Sequence, residues 1–151
     1  MSKKTSVLVT GGAGFIGSHL VDQLINSGYN VRVIDNLSTG NKSNIQQHIG
    51  SGKLDFIEGD IKDKEQVKKS VHGADAIVHL AAVTSVPFSV QNPKLTYETN
   101  AAGTLNLLAS LAKEQVGKFV FASTCAVYGD PQCLPVDENT PTNPISPYAE
   151  S

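Results

Sequence analysis

A glycine-rich segment near the N-terminus constrains this chain more than any other feature of its sequence. Glycines occupy positions 11, 12, 14 and 17, directly after the apolar run of residues 7–10 and directly before a stretch of helical periodicity. Because glycine has no Cβ, a backbone rich in it can turn tightly and let other atoms come close. The pattern therefore predicts a strand, a tight turn and a helix in immediate succession.

The rest of the chain repeats this alternation of short apolar runs and longer helical patterns. Further strands are predicted at residues 31–34, 54–57, 76–80 and 119–122, and helices at residues 15–27, 41–49, 63–71 and 100–114. The apolar face of the first helix is expected to carry Ile16, Leu20 and Leu24, with Val21 and Ile25 beside them, and that of the last helix Leu105, Leu108 and Leu111. The alternation predicts an α/β fold, a Rossmann-type doubly wound parallel sheet of strand order 3-2-1-4-5.

Size and charge exclude several classes of protein. A chain of 151 residues with 40% hydrophobic content is expected to form one domain. A net charge of -2 gives no field that would attract nucleic acid or an anionic membrane, and no apolar run approaches the roughly 20 residues needed to cross a bilayer. The two cysteines have neither zinc-site nor disulfide-framework spacing, so we expect no metal and a reducing cytoplasm.

The glycines and a later aspartate together indicate a dinucleotide site. The segment contains glycines at Gly11, Gly14 and Gly17, and also a GxGxxG match that begins at position 12. Such a loop lets a pyrophosphate approach the free N–H groups at a helix start, although an ordinary glycine-rich turn is the alternative. Asp35 ends the second predicted strand, at the spacing of a ribose-binding carboxylate. Its charge would repel a 2′-phosphate and no arginine follows it, so NAD is favoured over NADP.

The ends of the third and fourth predicted strands offer three weaker signals. Asp60 and Ile61 could hold an adenine edge and pack on its ring, but a solvated turn explains them equally well. The small residues of Leu80-Ala81-Ala82 would let a cofactor pass close to the backbone, and so would a plain strand-to-loop junction. His79 is interpreted as a packed strand histidine rather than a catalytic base.

Taken in order, these segments resemble a known family over the whole chain. The matching residues are TGGAGFIGSHL at 10–20, DNL at 35–37, GDI at 59–61, HLAA at 79–82, NAAGTLNLL at 100–108, STCAVYG at 123–129 and Pro147-Tyr148. They resemble the N-terminal part of extended short-chain dehydrogenases/reductases, and within them the NAD-dependent sugar-nucleotide epimerases and dehydratases, most closely UDP-glucose 4-epimerases.

The resemblance implies a role for each matching position. Phe15 and Ile16 would lie at the pyrophosphate, Asp35 and Asn36 at the adenosine ribose, and Asp60 and Ile61 at adenine. The rest of the cofactor path would be lined by Leu80, Ala81, Ala82 and Asn100, and the first contacts with a UDP-hexose substrate would come from Ser85 and Val86.

The same resemblance implies the catalytic residues. Thr124 matches the Ser or Thr that hydrogen-bonds the reacting sugar hydroxyl, and Tyr148 matches the YxxxK tyrosine that removes its proton. The lysine of that motif would be residue 152, whereas the sequence ends at Ser151, so we expect a truncated chain without the substrate domain. Three residues after Tyr148 are not expected to complete a helix, and the uncovered apolar surface is expected to drive self-association.

The preferred hypothesis is therefore a truncated epimerase that binds NAD and is weakly active or inactive, and two alternatives to it are weighed. A nucleotide-sugar 4,6-dehydratase would carry an Asp-Glu pair after the Ser or Thr, where Cys125-Ala126 stands instead. A non-enzymatic dinucleotide-binding module is favoured by the missing lysine and disfavoured by the presence of Thr124 and Tyr148.

Overall fold

The computed structural model describes residues 5–112 and 114–151, and a parallel sheet of five strands dominates the fold. The order β3-β2-β1-β4-β5 confirms the predicted 3-2-1-4-5 arrangement. Register pairs Thr10 with Ile34 on one side and with His79 on the other, so the carboxyl ends of three central strands lie together. The strands are β1 Ser6–Thr10, β2 Asn30–Asp35, β3 Leu54–Glu58, β4 Ala76–His79 and β5 Lys118–Phe121.

Helical segments connect the strands and continue after them. The α-helices are α1 Phe15–Asn26, α2 Lys64–Val71, α3 Val86–Gln91, α4 Pro93–Tyr97, α5 Gly103–Leu111 and α6 Pro147–Glu150. Lys42–His48 and Cys125–Tyr128 are 3₁₀ helices, and Glu98–Ala102 is a π-helical turn. α3 and α4 were not predicted from the sequence, because both are short and carry a proline in the first turn, where proline is tolerated.

The chain divides into two compact units. The first, called the sheet unit, comprises Met1–Ala81 and Gly103–Ala122 and contains all five strands with α1, α2 and α5. The second, called the helical unit, comprises Ala82–Ala102 and Ser123–Ser151 and contains α3, α4, the π-helical turn and α6.

The core of the sheet unit lies on both faces of the sheet, because successive side chains of a strand point to opposite sides. On one face Val7 and Val9 pack in a cluster with α1 and the first 3₁₀ helix. On the other face Leu8 packs with residues of α2 and α5. Strands buried on both faces read as continuous apolar runs, which is the pattern seen for residues 7–10.

The predicted apolar face was largely right for α1 and mostly wrong for α5. In α1 Val21 and Ile25 are buried, and Leu20 and Leu24 pack partly against the core, as predicted. Ile16 is 69% exposed, however, and Gly17 and Ser18 are buried instead. The physical reason is a glycine in each first turn, which lets the helix approach its neighbours closely along the row i, i+4, i+8.

The corresponding row of α5 starts at Gly103 and continues through the fully buried Leu107. A Cβ added to Gly103 would lie 2.7 Å from Cδ1 of Ile61, so the helix packs through its glycine. Leu105 and Leu108 are 63% and 42% exposed, contrary to the prediction, whereas Leu111 packs partly against the core. The helix also begins later than residue 100, since the π-helical turn occupies Glu98–Ala102.

Across residues 5–112 and 114–151, no helix combines the length and the apolar character needed to cross a membrane.

Candidate functional site

The glycine-rich segment forms a tight turn between β1 and α1. Gly11 has a φ of +69°, which a residue with a side chain rarely adopts, and an added Cβ would lie 2.8 Å from the backbone nitrogen of Ala81. A Cβ added to Gly17 would overlap the carbonyl oxygen of Gly11. The turn therefore lies directly against the carboxyl end of β4, and the backbone there is free of side chains.

The start of α1 has no side-chain cap, and its first two residues are exposed. Its N-cap is Gly14, which has no side chain to accept a hydrogen bond from the first turn. Phe15 and Ile16 are 79% and 69% exposed, and the ring of Phe15 meets His19 edge-on. An uncapped helix N-terminus of this kind can accept the charge of a phosphate through its amides.

Asp35 connects the end of β2 to this turn. The carboxylate is 8% exposed, and its Oδ2 accepts a hydrogen bond from the backbone N–H of Ala13 at 2.9 Å. Oδ1 accepts a second from the N–H of Leu37 at 2.8 Å. Each carboxylate oxygen can accept a further hydrogen bond, so the group can still bind a ribose hydroxyl.

The structure brings Asn36 and Asp60 together at the ends of β2 and β3. Nδ2 of Asn36 donates to Oδ2 of Asp60 at 3.0 Å, and Oδ1 of Asp60 accepts from the N–H of Lys62 at 2.8 Å. The side chain of Ile61 is 4% exposed and belongs to the core, contrary to the expectation that it packs on an adenine ring. Only the backbone of Ile61 is left for a cofactor contact.

The end of β4 is held to the end of β1 by the hydroxyl of Thr10. Oγ1 of Thr10 accepts from the backbone N–H groups of Leu80 at 3.2 Å and Ala81 at 3.1 Å. It also lies 2.6 Å from Nδ1 of His79. Leu80 and Ala81 thus run beside the glycine turn, where the resemblance places the cofactor path.

His79 is a packed residue, as the sequence indicates. It is 2% exposed, lies 2.8 Å from Oγ1 of Thr104 through Nε2, and contacts the rings of Phe119 and Phe121. Burial lowers the pKa of His79 from 6.5 to about 4, so the imidazole is neutral near pH 7.

In the helical unit, Asn100 organises the segment that follows Ala82. Its Oδ1 accepts from the N–H of Val83 at 2.7 Å, and its Nδ2 donates to the carbonyl of Val83 at 3.0 Å and to Oγ of Ser151 at 2.9 Å. Asn100 is 7% exposed. Its amide therefore has structural partners at both ends, which the resemblance did not indicate.

Ser85 and Val86, the predicted first substrate contacts, lie at the start of α3. The hydroxyl oxygen of Ser85 caps that helix by accepting from the N–H of Phe88 at 3.3 Å. The side chain of Val86 is 40% exposed. The structure thus gives Ser85 a local role as a helix cap.

Thr124 and Tyr148 both belong to the helical unit. Oγ1 of Thr124 accepts from the N–H of Ala126 at 3.2 Å and so caps the 3₁₀ helix Cys125–Tyr128. Tyr148 lies in α6, which packs against that same 3₁₀ helix. In this cap the oxygen of Thr124 is a hydrogen-bond acceptor, so the hydroxyl group can still donate its hydrogen to another group.

Three residues after Tyr148 were not expected to complete a helix, and the structure has a single helical turn there, α6. α6 is a complete turn because Ser146 caps it, accepting from the N–H of Ala149 at 3.2 Å. Tyr97 donates a short hydrogen bond to the carboxylate of Glu150, and that bond raises the pKa of the Tyr97 hydroxyl. Packing on α3 and α4 completes the support, so tertiary contacts replace helix length.

Three residues that shape the site were not predicted from the sequence. Thr10, Asn44 and Gln66 bind backbone atoms of Ala81, Ala13 and Asp60 respectively. The only available signal was that Thr10 directly precedes the glycines. Asn44 lies 31 positions from Ala13, and Gln66 lies six positions from Asp60 on α2, and no motif marks either residue.

Comparisons with known proteins agree with this arrangement. The family model for GDP-mannose 4,6 dehydratase matches residues 8–151. The chain is 48% identical over 147 residues to a putative UDP-glucose 4-epimerase of Methanocaldococcus jannaschii, with 96% of this chain and 47% of that protein covered. A fold and site of this kind define a nucleotide-binding α/β protein, and the chain belongs to the NAD-dependent epimerase/dehydratase family.

Solved structures of epimerases have the same fold. The UDP-Glc/GlcNAc 4-epimerase of Campylobacter jejuni has a TM-score of 0.91 and 40% identity, covering 97% of this chain and 45% of that one. UDP-glucose 4-epimerase of Brucella ovis in complex with NAD has a TM-score of 0.88 and 40% identity, covering 97% and 44%. The chain thus spans about half the length of the relatives it matches.

Proposed function

We propose that this chain binds NAD and supplies the cofactor site and the Thr124 and Tyr148 side chains of a UDP-hexose 4-epimerase. The observation that carries the proposal is the hydrogen bond of 2.9 Å from the N–H of Ala13 to Asp35. It places a buried carboxylate against the glycine turn, where adenosine ribose and pyrophosphate would be recognised together. The Brucella ovis relative, 40% identical, is described in complex with NAD, which supports the choice of dinucleotide.

The residues present fit a dinucleotide on structural grounds. Cβ atoms at Gly11 and Gly17 would collide with neighbouring backbone, so this cradle depends on the absence of side chains. The start of α1 would bind the pyrophosphate, and Asp35 and Asn36 would bind the ribose. The adenine would be bound by Asp60 and by the backbone of Ile61. Bound NAD would supply a hydride acceptor and donor. The remaining contacts are proposed for Gly14, Phe15, Ile16, Leu80, Ala81, Ala82 and Asn100.

Thr124 and Tyr148 are proposed to act on the sugar hydroxyl. The phenolic oxygen of Tyr148 would take the hydroxyl proton, and the Thr124 hydroxyl would orient the sugar oxygen by a hydrogen bond. Ser85 and Val86 are proposed to contact the UDP-hexose. Cys125 and Ala126 follow Thr124, so the chain has no acidic pair at the place where a 4,6-dehydratase would carry one.

Residues 1–151 alone are proposed to bind NAD but to turn over UDP-hexoses weakly. An isolated tyrosine has a pKa of about 10, and a nearby cation is needed to favour its phenolate near pH 7. In the YxxxK pattern that Tyr148 resembles, a lysine four positions later supplies that charge, and a polypeptide of residues 1–151 does not include that position. The exposed apolar strand β5 is further proposed to mediate self-association of this polypeptide.

Titration calorimetry with NAD and NADP, followed by a turnover assay with UDP-glucose and UDP-galactose, tests the proposal. We expect NAD to bind at least tenfold more tightly than NADP, and slow interconversion of the sugars. Equal affinity for the two dinucleotides would contradict the role of Asp35. NAD binding with no turnover, even at high protein concentration and after long incubation, would instead support a non-enzymatic binding module.

A further inference from the structure

The carbonyl oxygen of Ala13 accepts two hydrogen bonds from the segment that follows β2. The backbone N–H of Asn41 donates to it at 3.0 Å, and Nδ2 of Asn44 donates at 2.9 Å. A carbonyl oxygen has two lone pairs, so both are used. Ala13 itself is fully buried, and its N–H is the group that binds Asp35.

These bonds fix the peptide plane between Ala13 and Gly14. The nitrogen of that peptide, the N–H of Gly14, donates to the carbonyl of Gly11 at 3.2 Å. Gly14 is the N-cap of α1, so the orientation of this peptide sets where the first helical amides point. Glycines on this turn would otherwise let the backbone sample several conformations.

Asn44 is itself held by a rigid support, the 3₁₀ helix Lys42–His48. Ile45 of that helix is fully buried in the core cluster that also contains Ala13. The same helix is joined to α1 through Asp22, whose Oδ1 lies 2.6 Å from Nε2 of His48 and 2.8 Å from Nε2 of Gln47. The amide of Asn44 is therefore presented to Ala13 from a fixed position.

We propose that Asn44 is a positioning residue for the dinucleotide, because its hydrogen bond to Ala13 sets the orientation of the amides that receive the diphosphate. The inference rests on the proposed NAD site and adds to it a residue that touches no ligand. If the hydrogen bond forms in the conformation that binds the ligand, its loss lowers the affinity for the ligand by about fivefold, which corresponds to one neutral hydrogen bond.

Calorimetry with ADP-ribose and with adenosine tests the role of Asn44. In Asn44→Ala we expect ADP-ribose affinity to fall about fivefold, while adenosine, which has no phosphate, binds as in the wild type. Asn44→Asp keeps the size of the side chain but removes the donor, and it should lose at least as much. Gln46→Ala is the matched control, since it removes an exposed amide from the same 3₁₀ helix and should leave the affinity for both probes as in the wild type.

Each outcome of this experiment decides between explanations. Equal losses for ADP-ribose and adenosine would mean that Asn44 supports the fold in general, and the proposal would be wrong. Unchanged ADP-ribose binding in a folded Asn44→Asp protein would also overturn it, whatever the fate of Asn44→Ala. A wild-type chain that binds neither probe would refute the proposed NAD site instead.

Discussion

The carboxylate of Asp35 joins the glycine turn to the segment after β2, because each of its oxygens binds one of them. Its two oxygens accept from the N–H groups of Ala13 and Leu37. Asp35→Asn leaves one acceptor oxygen for two buried donors, so the free energy of unfolding should fall by about 1–3 kcal/mol. The loss of charge should also reduce the preference for NAD over NADP by about tenfold.

Urea denaturation and calorimetry with both dinucleotides measure these two effects of Asp35→Asn. Asp55→Asn is the control, because Asp55 is an exposed carboxylate on β3 that pairs with Arg32 at 2.7 Å. A surface ion pair of this kind contributes little to stability. If both variants behaved alike, the position of Asp35 beside the glycine turn would have no special importance.

The buried His79 makes the stability of the sheet unit depend on pH. Its pKa is lowered to about 4 by burial, from 6.5. Between these values the unfolded chain binds more protons, so the stabilisation is fully present above about pH 6.5 and is lost as the pH falls towards 4. The contacts of the ring are the hydroxyls of Thr10 and Thr104 and two phenylalanine rings. The largest loss expected is about 3 kcal/mol.

Denaturation of the wild type and His79→Gln at pH 7 and pH 4.5 measures this contribution. The variant should be less stable at pH 7, since it loses the imidazole contacts, but its stability should fall less between the two pH values. His19→Gln, at an exposed position of α1, should keep the wild-type difference. Parallel pH profiles for the wild type and His79→Gln would show that His79 does not cause the acid sensitivity.

At the scale of elements, the sequence predicted where helices occur better than which faces they bury. The positions of the strands could be predicted because each apolar run is short and is followed by a turn signal, and their order because alternating strands and helices form a doubly wound sheet. The complete buried face of α1 could not, because it includes Gly17 and Ser18, which hydrophobic periodicity does not select. Burial there depends on the close approach of the glycine turn, a tertiary contact that hydrophobic periodicity does not record.

Gly17 and Gly103 test the importance of glycine in the first turn of α1 and α5. A Cβ on Gly17 would overlap the backbone of Gly11, whereas one on Gly103 would meet Cδ1 and Cγ1 of the buried Ile61 side chain. We expect Gly17→Ala to destabilise the protein by about 2–3 kcal/mol. Gly103→Ala should cost less, about 1 kcal/mol, because a side chain can shift more easily than backbone. Thermal unfolding compares them, and equal shifts in Tm would contradict this explanation.

At the scale of the whole molecule, the resemblance proposes site residues without indicating how they are supported. Thr124 and Tyr148 are candidates because of their motifs, but the contacts that complete α6 could not be foreseen. Tyr97 and Asn100 reach residues 150 and 151 across about 50 positions of sequence. Side-chain bonds over such separations follow from packing, which one sequence without its fold does not determine.

The edge of the sheet at β5 is where we expect self-association. The burial of β5 is low, with Val120 46% and Phe121 52% exposed, and an edge strand offers unpaired backbone groups to a second copy. Val120→Lys places a charge on this edge and should lower the weight-average mass in sedimentation equilibrium at high concentration. Leu134→Lys is the matched control, since Leu134 is 80% exposed in an irregular segment of the helical unit and should not matter. A wild-type protein that stays monomeric at high concentration would rule out this interface, and equal effects of the two lysines would assign the association to general hydrophobicity instead.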